Sequence, residues 1–269
     1  MKKMHLNNPE IESSLPVLEV PLLLLILSLS LGLFFYIVFI LYKQRNLSYP
    51  LYRSIFLVLG ICCIIAAAIG PLASLAHMDF TAHMLVHLLL GMLAPLLVVL
   101  ASPLTLLLGT LKVESARSLT KILRWKLFSI LSNPIIASIL NIGGLWILYT
   151  STLYSAMRHN ILLHMLVHIH VFLAGYLFTA AIIYMDPTPH RKSYLYRAMV
   201  LVITIAGHDI LAKYLYAHPP ATVPVRQAET GSMLMYYGGD IIDLLLITIF
   251  CFQWFKAARP RVNMNTEFY

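Results

Sequence analysis

Residues 77–87 read HMDFTAHMLVH, which sets His83 four residues before His87. A second pair, His164 and His168, repeats that spacing within HNILLHMLVHIH at 159–170. Residues four apart share one face of a helix, so each pair presents two imidazoles side by side. Such a pair can hold one metal ion, as in helical HExxH sites, although no glutamate of that kind stands here. Imidazole suits zinc, copper, iron and nickel alike. His208 is a further candidate ligand beside Asp209 in the stretch HDILAK. Asp240 and Asp243 stand three apart and share a face; they can ligate directly or accept from histidine N–H groups and orient them. Asp209 also precedes Lys213 by four residues, the spacing of a structural ion pair. His77 and Met78 lie at the head of the first histidine segment, and Met233 and Met235 at the head of the last apolar one. Thioethers select Cu(I), but methionine is also a common filler of apolar gaps. A single intramembrane histidine often serves only as a polar link between helices; two matched pairs favour ligation. His170 lies about 200° around the helix from His168 and faces elsewhere.

The elements that carry these residues are set by composition. Of 269 residues, 60% are hydrophobic and only 11% charged, and the mean hydropathy is +0.82. A soluble domain carries roughly 25% charged residues, so the solvent for this chain is lipid. Histidines number 11, as many as aspartate and glutamate together, and ionisable groups within a membrane are costly and functional by default. Hydropathy predicts an all-α bundle of seven transmembrane helices in a single membrane domain, 1–269. The spans are Val20–Tyr42, Ser54–Leu75, Phe80–Leu100 with a continuation to Leu108, Pro134–Tyr154, Ile161–Tyr184, Leu195–Ala217 and Ser232–Phe255. Pro95 and Pro103 each remove a helical hydrogen bond and should bend or break the third span. The first span follows Met1-Lys2-Lys3 but is too long for a signal-peptide core and lacks a small-x-small cleavage site, which makes it an anchor. Cys62, Cys63 and Cys251 form no CxxC motif and read as small apolar residues of helices.

Orientation follows from lysine and arginine. Lys43, Arg45, Arg53, Lys112, Arg117, Lys121, Arg124, Lys126, Arg191, Lys192, Arg197, Lys256, Arg259 and Arg261 fall on one side, 14 in all. Lys2, Lys3, Arg158, Lys213 and Arg226 fall on the other. The N-terminus is therefore expected outside and the C-terminus in the cytoplasm. This placement explains the net charge of +8 without nucleic acid. The basic amphipathic stretch 112–128 suits anionic lipid. With this orientation His87, His168, His208 and Asp240 each lie about 10–13 Å from the outer ends of their spans, and His83 and His164 about 6 Å above them.

The blocks HMLVHLLLGMLAPLLVVLASPLTLLL (83–108), HNILLHMLVHIHVFLAGYLF (159–178), DPTP (186–189), HDILAK (208–213) and GSMLMYYGGDI (231–241) occur in this order. Together they resemble the seven-helix bacterial CtaG family of cytochrome c oxidase assembly factors. The chain lacks the Cys-x-Cys motif of the single-span copper chaperone that has shared that name. The resemblance implies a protein of the bacterial cytoplasmic membrane that matures a haem–copper oxidase, with copper as cargo, oxidase subunits as partners and no catalytic residues. It puts the family's histidines at His83, His87, His164, His168 and His208 and its glycine–methionine block at Gly231, Met233 and Met235. Glu229-Thr230 stands where the family often has Asp-Gln. Two other functions fit the residues alone: a membrane-embedded zinc hydrolase with a three-ligand site, and a b-type haem protein with axial histidines from two helices.

Overall fold

A computed structural model describes residues 50–188 and 190–259, with residues 29, 32–33, 36–37 and 39–43; every structural statement below concerns these. The first predicted span, Val20–Tyr42, lies largely outside them, and its described positions are helical. The rest is helix joined by short turns: α1 Leu51–Ala68, α2 Pro71–Ala76, α3 Phe80–Leu88, α4 Ala94–Ala101, α5 Pro103–Thr110, α6 Val113–Leu123, α7 Lys126–Leu131, α8 Pro134–Ser138, α9 Gly144–Thr150, α10 Leu153–His159, α11 Ile161–Ile183, α12 Tyr194–Ala217 and α13 Val225–Ala258. Five helical stretches are long and apolar enough to cross a membrane: 51–68, 80–110, 161–183, 194–217 and 225–258. A sixth is available if the pair Pro134–Thr150 and Leu153–His159, bent by 77°, counts as one span. The chain is thus an all-helical, multi-pass membrane protein.

Backbone chemistry accounts for where these spans depart from the predicted boundaries. The second span stops at Ala68 rather than Leu75, because Gly70 takes a positive φ of 92° and Pro71 opens a new short helix. The fourth breaks at Ser151-Thr152, before its predicted end at Tyr154. The last begins at Val225, directly after Pro224, rather than at Ser232. Arg226, Gln227 and Glu229 lower hydropathy there, but they do not prevent a helix from forming. In the third span Ser102, at φ 55°, interrupts the helix and Pro103 starts the next one.

Pro95 is accommodated differently. A π-helical turn, Leu89–Leu93, precedes it, and the Ala94 N–H reaches back five residues to the Leu89 carbonyl. Pro95 has no N–H to give the Gly91 carbonyl four residues back. α11 crosses at that point through Gly175, where an added Cβ would lie 2.1 Å from the Gly91 oxygen. A second π-helical turn, Ile139–Gly143, interrupts the fourth span. There the His170 Nε2–H donates to the Leu140 carbonyl (3.2 Å), and Gly144 leaves room for the ring, since a Cβ would sit 2.5 Å from Nε2. His170 therefore serves helix packing.

Among the described residues the two largest apolar cores stack along the bundle. One gathers Phe80, Met84, Leu145, Tyr149, Tyr154, Met157, Leu215 and Met235. The other gathers Leu96, Val99, Phe178, Ile182, Leu201, Leu246 and Phe250.

Candidate metal site

Both histidine pairs start from the same local device. The Asp79 side chain caps α3 by accepting the Ala82 N–H (2.9 Å), and the Asn160 side chain caps α11 by accepting the Leu163 N–H (3.0 Å). An Asx side chain at that position satisfies an otherwise orphaned donor of the first turn. His83 and His164 each follow their cap by four residues, and His87 and His168 by eight. Two helices that begin the same way thus carry their imidazoles at equal distances from their starts. The loops at this end are tied together: Arg158 donates to the His77 carbonyl (3.3 Å), and the Phe80 N–H to the Gln227 side chain (3.2 Å).

The rings meet in a staggered file. His77 stacks on His164 with centroids 4.5 Å apart, and His164 lies 4.1 Å from His168. His168 meets His83 of α3 at 6.3 Å. His87 faces His208 of α12 at 6.1 Å. Contact across the α3–α11 interface therefore joins His83 to His168, one turn out of step with the layers expected from depth alone. Two imidazoles bound to one ion, each through a nitrogen at the usual ~2.0 Å, have centroids roughly 5–6 Å apart, close to the His83–His168 and His87–His208 spacings, whereas the rings of His77, His164 and His168 lie closer than that. Among the described residues no three His, Cys, Asp or Glu side chains converge as one ready metal group; the histidines meet pairwise.

Hydrogen bonding decides which nitrogens are free. His168 Nδ1 lies 2.9 Å from the His164 carbonyl. A carbonyl only accepts, so Nδ1 carries the proton and Nε2 keeps its lone pair. His83 Nε2 lies 3.1 Å from the Tyr149 hydroxyl. Buried nitrogens without a partner include His87 Nε2, His164 Nδ1 and both ring nitrogens of His208. Buried polar atoms are rarely left so, and this cluster of them fits a cation. His208 Nδ1 is 3.8 Å from Asp209 Oδ1, beyond hydrogen-bond reach. At the mouth, burial and then the nearby Arg158 guanidinium hold the His77 imidazole below its ordinary pKa, which keeps it neutral and able to ligate.

The remaining candidates separate clearly. Met235 is fully buried in the core beside Phe80 and Met84, whereas Met78 and Met233 are 81% and 44% exposed. Asp243 is buried, and Asp240 and Asp209 are half-buried. Lys213 lies 4.9 Å over the Tyr236 ring, and no ion pair joins it to Asp209 among the described residues.

The sequence pattern of the cytochrome c oxidase caa3 assembly factors (Caa3_CtaG) matches residues 32–257. The chain belongs to that family. An uncharacterized protein of Mycobacterium bovis is 31% identical to this Caa3_CtaG chain over 173 residues, 62% of the chain and 26% of that protein. One of Mycobacterium leprae is 28% identical over 185 residues, 66% of the chain and 28% of that protein. The chain spans about a quarter of the length of the curated relatives it matches. No solved structure matches it.

Three features of this Caa3_CtaG chain escaped the sequence reading. Tyr149 stands edge-on to both His83 (6.0 Å) and His87 (6.3 Å). Gly239 makes room for His208, whose Cε1 would be 2.6 Å from an added Cβ. Asp186 of DPTP binds the start of α5, accepting from Thr105 N (2.8 Å), Thr105 Oγ1 (2.7 Å) and Leu104 N (3.3 Å). Asp186 and Gly239 lie within the quoted blocks DPTP and GSMLMYYGGDI, which gave them no role, and Tyr149 carried no signal.

Proposed function

We propose that the chain serves cytochrome c oxidase assembly by binding copper on its imidazole file and passing it to the oxidase. The observation that carries this reading is the run of ring nitrogens without protein partners in a member of an oxidase assembly family. Cu(I) accepts two nitrogen ligands, which suits histidines meeting in pairs. Structural zinc takes four ligands, and catalytic zinc takes three from the protein. Buried Met84 and Met235 line the same end of the bundle and offer thioethers, which favour Cu(I).

In this reading residues 20–42 form a seventh span, the N-terminus lies outside, and the C-terminus is cytoplasmic, as the 14-to-5 division of basic residues favours. His77 and His164 then face the outer surface, where copper arrives. His164 and His168 carry it inward to His83. Each hand-off exchanges one imidazole for another, so the ion is never stripped bare in a low-dielectric interior. The partner is an oxidase subunit reached within the membrane, and the role is carriage rather than catalysis.

The test is copper content and activity of the oxidase in cells carrying His87→Ala or His168→Ala, with the variant shown to reach the membrane at normal level. Oxidase that is inserted but copper-poor is the expected result. Full activity in both strains would reduce the histidines to links between helices. A purified wild type that takes zinc and refuses Cu(I) under reducing conditions would replace the cargo.

A further inference from the structure

The inner end of the histidine file opens on a cavity of about 30 Å³ between the two apolar cores. His87, His208, Asp243, Asn141, Thr204 and Thr179 supply its polar wall. A water needs roughly 10–15 Å³ on this measure, so an ion and one small ligand fit. The polar groups here are deeply buried: His87 and His208 are each 5% exposed and Asp243 is 6% exposed. His87 Nε2 and both His208 nitrogens have no partner. Thr204 gives its hydroxyl proton to the Val200 carbonyl (2.7 Å), and its oxygen accepts from the Ser138 hydroxyl.

We propose that His87, His208 and Asp243 form a second, inner cation site, separate from the outer His77, His164, His168 and His83 group. The inference rests on copper being the cargo and adds where the ion comes to rest. Neutral imidazoles ligate a cation without balancing its charge. An unbalanced charge in a low-dielectric interior is expensive. Among the described residues Asp243 is the carboxylate buried as a whole, while Asp209 buries one unpartnered oxygen 3.8 Å from His208 Nδ1; Asp243 lines the cavity and stands one helical turn from Gly239, against which His208 packs. The cation and the carboxylate neutralise one another there, whereas among the described residues no ion pair joins a carboxylate to the outer rings, and the Asp79 side chain at that mouth is spent on capping α3.

Tyr149 partitions the two groups. It is buried, stands edge-on to both His83 and His87, and is hydrogen-bonded to His83 alone of the two. The three inner side chains border the cavity rather than meeting at its centre, so ligation rotates them inward around the ion. The outer group is an entry file, and the inner group is the store from which the oxidase is supplied.

The experiment titrates the purified full-length chain in detergent with Cu(I), anaerobically, against a chromophoric chelator. Wild type should bind two equivalents of distinguishable affinity. Asp243→Asn should keep one equivalent and bind the other at least tenfold more weakly. His164→Ala and His168→Ala should lose the equivalent that Asp243→Asn keeps. Should Asp243→Asn aggregate, Asp243→Ser, which enlarges the cavity, makes the same distinction. A single wild-type equivalent abolished alike by Asp243→Asn and His168→Ala overturns the second site while leaving copper as cargo. Two equivalents with unchanged affinity in Asp243→Asn remove the carboxylate's role and overturn the inference. No copper bound by wild type overturns the underlying reading itself.

Discussion

The crossing of α11 over the π-helical turn of the third span fixes how far His168 stands from His83, and Gly175→Ala tests it. Gly175 lies seven residues after His168, hence on nearly the same helix face. An added Cβ would meet the Gly91 oxygen at 2.1 Å, the Gly91 carbonyl carbon at 3.1 Å and Pro95 Cγ at 3.2 Å. Two of these are backbone atoms, so no side chain can swing aside. A carbon rests about 3.3 Å from a carbonyl oxygen, so with 2.1 Å available the helices must part by roughly 1.2 Å. Overpacking of this kind costs about 1–3 kcal/mol, partly offset by the ~0.5–1 kcal/mol that alanine gains over glycine within a helix. The His83–His168 separation of 6.3 Å would widen with the crossing, and Cu(I) affinity should fall on the order of tenfold. The assay is thermal unfolding in detergent together with Cu(I) competition, with Gly143→Ala as control. That glycine's added Cβ meets nothing closer than 3.8 Å, so the control should be as stable as wild type or better. If Gly175→Ala matched the control in both measurements, the crossing would not set the histidine spacing.

Tyr149→Phe removes the hydroxyl that competes for His83 Nε2; a net hydrogen bond is worth about 1 kcal/mol, so Cu(I) should bind roughly fivefold tighter. Weaker binding would mean that the hydroxyl orients His83 for ligation through Nδ1. Asp186→Ala strips the start of α5 of its carboxylate and should cost about 1–2 kcal/mol of stability, read as a lower unfolding temperature. Burial, opposed by the Thr105 and Leu104 donors, leaves the Asp186 carboxyl above its ordinary value. Its contribution is therefore fullest below about pH 4 and declines as pH rises through the folded pKa. The deficit of Asp186→Ala should shrink over that window, and a deficit that grew with pH would contradict the direction.

Much of the bundle was legible because hydropathy adds up over a span and ignores detail. Each histidine pair was legible because four-residue spacing is a property of one helix. What spacing does not contain is the offset between helices. The caps Asp79 and Asn160 start α3 and α11 alike, yet His83 meets His168 rather than His164, because the relative shift of two helices is set by the Gly91–Gly175 contact. The predicted Asp209–Lys213 pair failed for a similar reason: Lys213 found the Tyr236 face of a neighbouring helix. The break at Ser102-Pro103 was announced by its proline, but two other breaks were hidden. Gly70-Pro71 and Ser151-Thr152 scarcely alter mean hydropathy, but they redirect the backbone.

The Gly91–Gly175 contact also acts as a fulcrum. Backbone touches backbone there, and the ring pairs lie on the long arm: His168 sits about 10 Å up the helix and His164 about 16 Å. A tilt of α11 by about 5° swings His168 by roughly 1 Å while the fulcrum stays closed. Helices change tilt to match the thickness of the bilayer around them. Under the proposed function, the grip of the file on its ion would be geared to the membrane it occupies, and the same sequence in thinner or thicker lipid would open or close the file without a change of residue.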